Sequence, residues 1–191
     1  MQLILAFLVL FTAGAFQPAA ANPDFDLGPA VGAKAPDIGS LMDQHNKPES
    51  LSALMGEKGL VVLFYRSAGW CPYCQAQLMD LNSGVSDIAK RGYKLVGISY
   101  DAPEVLAAFT EKRSITYPLL SDPGSKIIDL YGLRDPQYPP GHFAHGVPRP
   151  IIFILDRDGT IKSKLYEDTY KKRPPVGLVV ETLDKLASAS K

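Results

Sequence analysis

The 191-residue sequence predicts an α/β fold, a mixed central β-sheet flanked by helices. Three observations carry that expectation. Two apolar, β-branched runs each lead into a helical pattern, the order expected of parallel strands joined by crossover helices. A third apolar run is followed at once by the turn DRDG and another strand pattern, which adds an antiparallel hairpin. An amphipathic pattern then closes the chain. The chain holds 20 Lys plus Arg against 20 Asp plus Glu. That balance excludes the basic footprint of a nucleic-acid or anionic-membrane binder.

The first element is a leader. Leu3 to Phe16 is uncharged and apolar, Pro18 breaks it, and Ala19 and Ala21 supply a small-x-small site. This pattern is that of a secretory signal over 1–21, cleaved after Ala21. It falls short of the ~20 residues needed to span a bilayer, so no stable membrane span is expected after cleavage. An uncleaved tether is the alternative, since no Lys or Arg follows Met1. Residues 22–33 mix Pro, Gly and Asp without period and read as a flexible leader, with one domain over 34–188. The mature protein is thus expected to be exported, periplasmic or extracellular, where a disulfide persists.

Residues 59–65, GLVVLFY, read as a buried strand. After it, Cys74, Leu78, Leu81, Val85 and Ile88 fall on one stripe of a single helix that stops at Gly92. Residues 93–99 form a second strand. The helix after it starts with Asp101 and Glu104 in capping-box positions and Pro103 in its first turn. A shorter element covers 126–131, and an irregular loop rich in proline carries His142 and His145. Strands at 151–155 and 160–166 flank the DRDG turn. The final helix spans 176–187, with Val179, Val180, Leu183 and Leu186 apolar.

The only cysteines, Cys71 and Cys74, sit where the first strand hands over to its helix, the usual ligand edge of an open α/β sheet. A thiol at a helix start faces unpaired N–H groups and the positive end of the dipole, which favours thiolate. Cys71 is therefore the expected nucleophile. Pro72 suits the first helical turn, and Cys74 lies on the same face, where it can resolve a mixed disulfide and should be the more buried of the two. Three other uses stay open. A structural disulfide closing so small a loop removes little entropy. A zinc site would need His142 and His145 to fold back onto the helix. Inert core thiols are the third.

The segments VGAKAPDI (31–38), LVVLFYRSAGWCPYC (60–74) and PIIFILDRDG (150–159) resemble the alkyl hydroperoxide reductase and thiol-specific antioxidant (AhpC/TSA) family of thioredoxin-like fold. The similarity is greatest to its peroxiredoxin-like members with W-C-P-Y-C, and it covers about residues 31–188. The resemblance implies a redox-active Cys71–Cys74 pair and a cis-proline opposite it, at Pro150 or at its competitor Pro148. It also implies substrate contacts from Trp70, Pro72, Tyr73 and the Arg149 backbone. Against the family pattern Pro-x-x-x-Thr-x-x-Cys, alignment on Cys74 puts Ser67 where Pro stands and Cys71 where Thr stands. Pro150 falls at the usual strand arginine, one residue from Arg149.

These departures favour thiol–disulfide exchange as the expected activity. Cys71 attacks a protein or small-molecule disulfide, Cys74 expels the product, and a separate thiol electron donor or acceptor resets the pair. A thiol peroxidase acting on hydroperoxides is the alternative, and a copper-binding protein of the same fold a third reading. No cofactor or resident metal is called for. Arg66, five residues before the site, could lower a thiol pKa but is expected to be a solvated strand-end residue, and Lys171, Lys172 and Arg173 a solvated turn.

Overall fold

The computed structural model describes residues 26–189. In chain order the elements are β1 (Leu41–Asp43), β2 (Pro48–Glu49), α1 (Leu51–Leu54), β3 (Gly59–Phe64), α2 (Pro72–Ser83), α3 (Val85–Lys90) and β4 (Tyr93–Ser99). There follow α4 (Pro103–Arg113), β5 (Leu119–Ser121), α5 (Lys126–Leu130), β6 (Ile151–Asp156), β7 (Ile161–Leu165) and α6 (Val176–Ala189). The strands make one sheet of order β2-β1-β5-β4-β3-β6-β7. β3 is parallel to β4 and antiparallel to β6, and β6 is antiparallel to β7. The mixed α/β sheet predicted from sequence is therefore the architecture. The proposed signal and its cleavage point lie outside the described residues. None of the helices among the described residues is long and apolar enough to cross a membrane.

Every residue of β3 is buried, because helices cover both faces of the sheet. The period of two sorts its side chains. Val61 and Leu63 face one core with Leu78, Leu81, Ile88, Leu106, Val179 and Leu183. Leu60, Val62 and Phe64 face the other with Leu54, Ile128, Tyr131 and Phe153. Phe64 ends the strand opposite Ile151, so the chain leaves β3 beside the residues that open β6.

Four sequence expectations need correction. The stripe from Cys74 to Ile88 is two helices, α2 and α3, which meet at Gly84. A Cβ on Gly84 would lie 2.2 Å from Cγ2 of Val176, where the start of α6 crosses. The Val176 N–H donates to Asp80 Oδ2 at 2.7 Å and fixes that crossing. The capping box of α4 does not form. Its N-cap is Ala102 with no side-chain cap, because Asp101 turns inward. Residues 26–33, read as flexible leader, are mostly exposed yet tied to the domain at fixed points. Leu27 is buried, and the N–H groups of Gly32 and Ile161 exchange bonds with the carbonyls of Ile161 and Ala33. Last, neither Pro148 nor Pro150 follows a cis bond. Pro148 bridges Arg134, and the Arg149 N–H donates to Leu133 O at 2.7 Å, which holds this segment extended as it enters β6.

The strands β1, β2 and β5 and the helix α1 went unread, being two to four residues long. Such elements exist only through their partners, as where Met42 pairs with Ser121.

Asp101 fixes the loop that carries the cysteines. Its Oδ1 accepts from Ser67 Oγ at 2.7 Å, and its Oδ2 from the Ala68 N–H at 2.7 Å and from Ser99 Oγ at 3.0 Å. Ser67 Oγ in turn accepts from the N–H groups of Gly69 and Trp70. Burial pushes the Asp101 carboxyl above the usual range, while the bonds from Ser67, Ala68 and Ser99 pull it back.

Two measurements check these assignments. Ala exceeds Gly in helix propensity by about 1 kcal/mol, so a free Gly84 would be improved by Gly84→Ala. The contact with Val176 predicts the opposite, a loss of about 1–3 kcal/mol in urea unfolding, as for overpacking. Asp101→Ala leaves three buried donors without an acceptor, and the same assay is expected to show a loss of about 2 kcal/mol or more.

Candidate active site

β3 releases the chain at Phe64, and α2 resumes it at Pro72, so Cys71 is the N-cap of α2. The cysteines are disulfide-bonded, with Cα atoms 5.2 Å apart. Cys71 Sγ accepts from the Cys74 N–H at 3.3 Å, one of the orphan donors of the first turn. Pro72, at N1, has no N–H to satisfy. Gln75 Nε2 donates to Ala68 O at 2.8 Å and ties the helix back to the loop before it. Cys71 is 1% exposed and Cys74 0%, so the difference in burial expected between them is not present.

Arg66 is not a solvated residue. It is 4% exposed, and its guanidinium carbon lies 5.1, 4.9 and 4.3 Å from the ring centroids of Trp70, Tyr138 and Tyr170. Its Nη2 donates to Tyr138 Oη at 2.8 Å, and its buried Nε has no partner. Nor is the Lys171 to Arg173 run simply a solvated turn. Residues 166–175 form a strap from β7 to α6 across the cysteines. Tyr170 packs edge-on against Tyr73, and Arg173 Nη2 donates to Cys74 Sγ at 3.6 Å. Burial first, then the neighbouring Arg66 charge, pulls the Arg173 guanidinium down to about 10, which still leaves it a cation at neutral pH. Neither arginine has a carboxylate partner among the described residues.

Trp70 is half-exposed. Its Nε1 donates to Tyr100 Oη at 2.9 Å, and its ring meets Phe143 edge-on at 5.2 Å. The loop that carries His142 therefore does return to the cysteine edge. The histidines themselves are engaged inside the loop. His142 Nδ1 accepts from the Ala144 N–H at 3.0 Å, and His145 Nδ1 donates to Tyr138 O at 2.8 Å. No group of three His, Cys, Asp or Glu side chains converges among the described residues.

Pro150 and Arg149 lie at the same end of the sheet, immediately before Ile151, the partner of Phe64. They line a cleft of about 300 Å³ with Leu27, Asp135, Glu167 and Tyr170. Tyr170 lines that cleft and also packs on Arg66 and on Tyr73 of α2. The sequence reading missed Asp101, Tyr100, Tyr138, Phe143, Tyr170 and Arg173. Arg173 is 99 positions from the Cys74 it touches, and no local pattern encodes such a contact.

This is a buried C-x-x-C disulfide at a helix start, its loop held by a carboxylate just past the end of β4, with the Arg173 guanidinium at Cys74 and that of Arg66 near Arg173. Residues 31–164 match the family model described as AhpC/TSA. The peroxiredoxin Bcp of Escherichia coli K12 is 33% identical over 132 residues, which cover 68% of this chain and 83% of that protein. Among solved structures, the peroxidoxin BcpB of Mycobacterium tuberculosis superposes with a TM-score of 0.69 at 23% identity over 85% of this chain and 98% of that one. The AhpC of Enterococcus faecalis gives 0.70 at 19% identity over 84% of this chain and 93% of that one. The last two establish shared fold, and the first two carry descent: the chain belongs to the AhpC/TSA family of thiol-dependent oxidoreductases.

Proposed function

We propose that the protein is a thiol-dependent peroxidase that reduces hydroperoxides through Cys71 and Cys74. The observation that carries this reading is the burial of both sulfurs, 1% and 0% exposed. Exchange with a protein disulfide requires in-line approach of a bulky sulfur to an exposed one. A small hydroperoxide needs far less room. The peroxiredoxin relative supports the same reading. This reverses the preference drawn from the altered Pro and Thr positions of the loop. Ser67 supplies in hydrogen bonds what a proline would supply in stiffness: its hydroxyl accepts from two backbone N–H groups and donates to Asp101.

The chemistry balances with the residues present and one external reductant. A cysteine thiolate attacks one oxygen of ROOH, the O–O bond breaks, and RO⁻ leaves and takes up a proton as ROH. The sulfur, oxidised by two electrons, becomes a sulfenic acid. The second thiol attacks it, water leaves, and the Cys71–Cys74 disulfide forms. An external low-molecular-weight thiol reductant, small enough to reach the covered pair, then restores the dithiol by exchange, its own thiols being oxidised to a disulfide. The Arg173 guanidinium, at Cys74 Sγ, stands where negative charge develops on sulfur, and such a fixed charge lowers the barrier where water is excluded.

Thiol–disulfide exchange is the second reading, and one observation favours it. Cys71 Sγ, not a threonine hydroxyl, caps α2. Export stands as a proposal on the sequence alone, from the apolar stretch after Met1 and the small residues before Asn22.

Stopped-flow mixing of the reduced protein with hydrogen peroxide or an organic hydroperoxide is expected to show fast loss of one peroxide per Cys71–Cys74 disulfide formed. Cys71→Ser is expected to stop at the sulfenic acid or at one turnover, and the double Ser variant to be inert. Rates no faster than a free thiol, together with efficient reduction of insulin, would instead establish disulfide exchange. Mass spectrometry of the protein recovered from its native host is expected to find Asn22 as the first residue. An intact N-terminus at Met1 would remove the cleavage.

A further inference from the structure

We infer that Arg173, with Arg66 beside it, is the cation that holds Cys74 as a thiolate, so that Cys74 attacks the oxidant and Cys71 resolves. The inference uses the peroxidase reading for its substrate, but the ionisation of Cys74 stands apart from it.

Both sulfurs have some claim to the charge. Cys71 caps α2 and receives one N–H, from Cys74 at 3.3 Å, together with the partial positive charge of the helix start. Cys74 receives a full charge. Arg173 Nη2 points at its Sγ from 3.6 Å. A full cation in a dry site outweighs the fraction of a charge that a helix end supplies. Burial raises any thiol, so a thiolate here requires a partner of that strength.

Among the described residues neither guanidinium group has a carboxylate partner. Burying the unpaired Arg66 is costly, and the half-buried Arg173 within range of it adds to that cost. Arg66 is offset by three aromatic rings. Arg173 spends its Nη1 on the carbonyls of Tyr170 and Lys172, and its buried Nε has no partner. The remaining direction is Cys74. In the disulfide the sulfur is neutral and the N–H···S contact is weak. Reduction places a negative charge there and completes an ion pair.

The other groups around Cys74 do not supply a competing countercharge. From the strap come Tyr170 and Arg173, and from the end of β3 come Tyr65 and Arg66. Desolvation holds Tyr65 well above the ordinary phenol range, so it is neutral. From α2 and its N-cap come the uncharged Gln77 and Cys71. Asp80 lines the same groove as Lys171 and Arg173 but accepts from the Val176 N–H. On the β4 side Asp101 is engaged by Ser67, Ala68 and Ser99.

The test reads each thiol alone. With Cys71→Ser, the thiolate absorbance of the remaining Cys74 near the far-ultraviolet edge is titrated against pH, with and without Arg173→Gln. The midpoint is expected to rise by about one pH unit or more when Arg173 is lost, and Arg173→Lys is expected to restore most of it. With Cys74→Ser, the midpoint of Cys71 is expected to be higher than that of Cys74 and to stay put when Arg173 is changed. Circular dichroism checks each fold, and Arg173→Met, which keeps the apolar stem, repeats the measurement if the Gln variant does not fold. A Cys74 midpoint that does not move, or a Cys71 midpoint that moves as far, overturns the inference. Peroxide turnover is recorded in parallel. A shifted midpoint in a protein without turnover would remove the peroxidase reading and leave the Arg173 assignment, and turnover with an unmoved midpoint would do the reverse.

Discussion

The carboxylate of Asp101 is the constraint on which the site depends. The loop from β3 to α2 must reverse direction and still deliver Cys71 at a helix start. Asp101 does this from just past the end of β4 by gathering one hydroxyl and one N–H of residues 67 and 68. Ser67 passes that order on to Gly69 and Trp70. A buried carboxylate is costly unless its oxygens are satisfied, and here three donors satisfy them. Because β4 is parallel to β3 and adjacent to it, its carboxyl end lies beside the loop without any long connection.

The second feature is an excess of positive charge where a core would ordinarily hold none. Arg66 is sandwiched among Trp70, Tyr138 and Tyr170, partly exposed rings that each offset about 0.5–1 kcal/mol. These rings come from three separate parts of the chain. Trp70 and Tyr138 lie in loops at the carboxyl end of β3, and Tyr170 lies in the strap. The same ring of Tyr170 packs on Tyr73 of α2. The aromatic packing thus closes the strap over the disulfide and delivers Arg173 to Cys74 in one arrangement.

The mechanism proposed above fits this economy. A small oxidant can enter a covered site, and the covering residues supply charge where charge develops. Cover of this kind is a disadvantage for exchange with a folded protein, whose disulfide must reach a sulfur directly. The cleft beside the strap, lined by Arg149 and Pro150, is contiguous with it through Tyr170.

Much of this was legible in the sequence. β4 and the start of α6 fall where the apolar pattern put them, because a strand buried on both faces and an amphipathic helix each leave a local signature. The strand-to-helix position of WCPYC follows from the same patterns and from Pro72, as does the placement of both cysteines at the sheet edge. The break at Gly84 was not legible, since what interrupts the stripe is Val176, which arrives from another helix. Asp101 read as a cap because its spacing to Glu104 suits one, and only the packed loop shows that Ser67 and Ala68 claim it first. The sequence by itself thus determined the fold class, the family and the two sulfurs, all of which rest on short-range periodicity and contiguous motifs. The tertiary structure alone decided which charges surround those sulfurs, because burial and long-range packing, not spacing along the chain, bring Arg66 and Arg173 to one place.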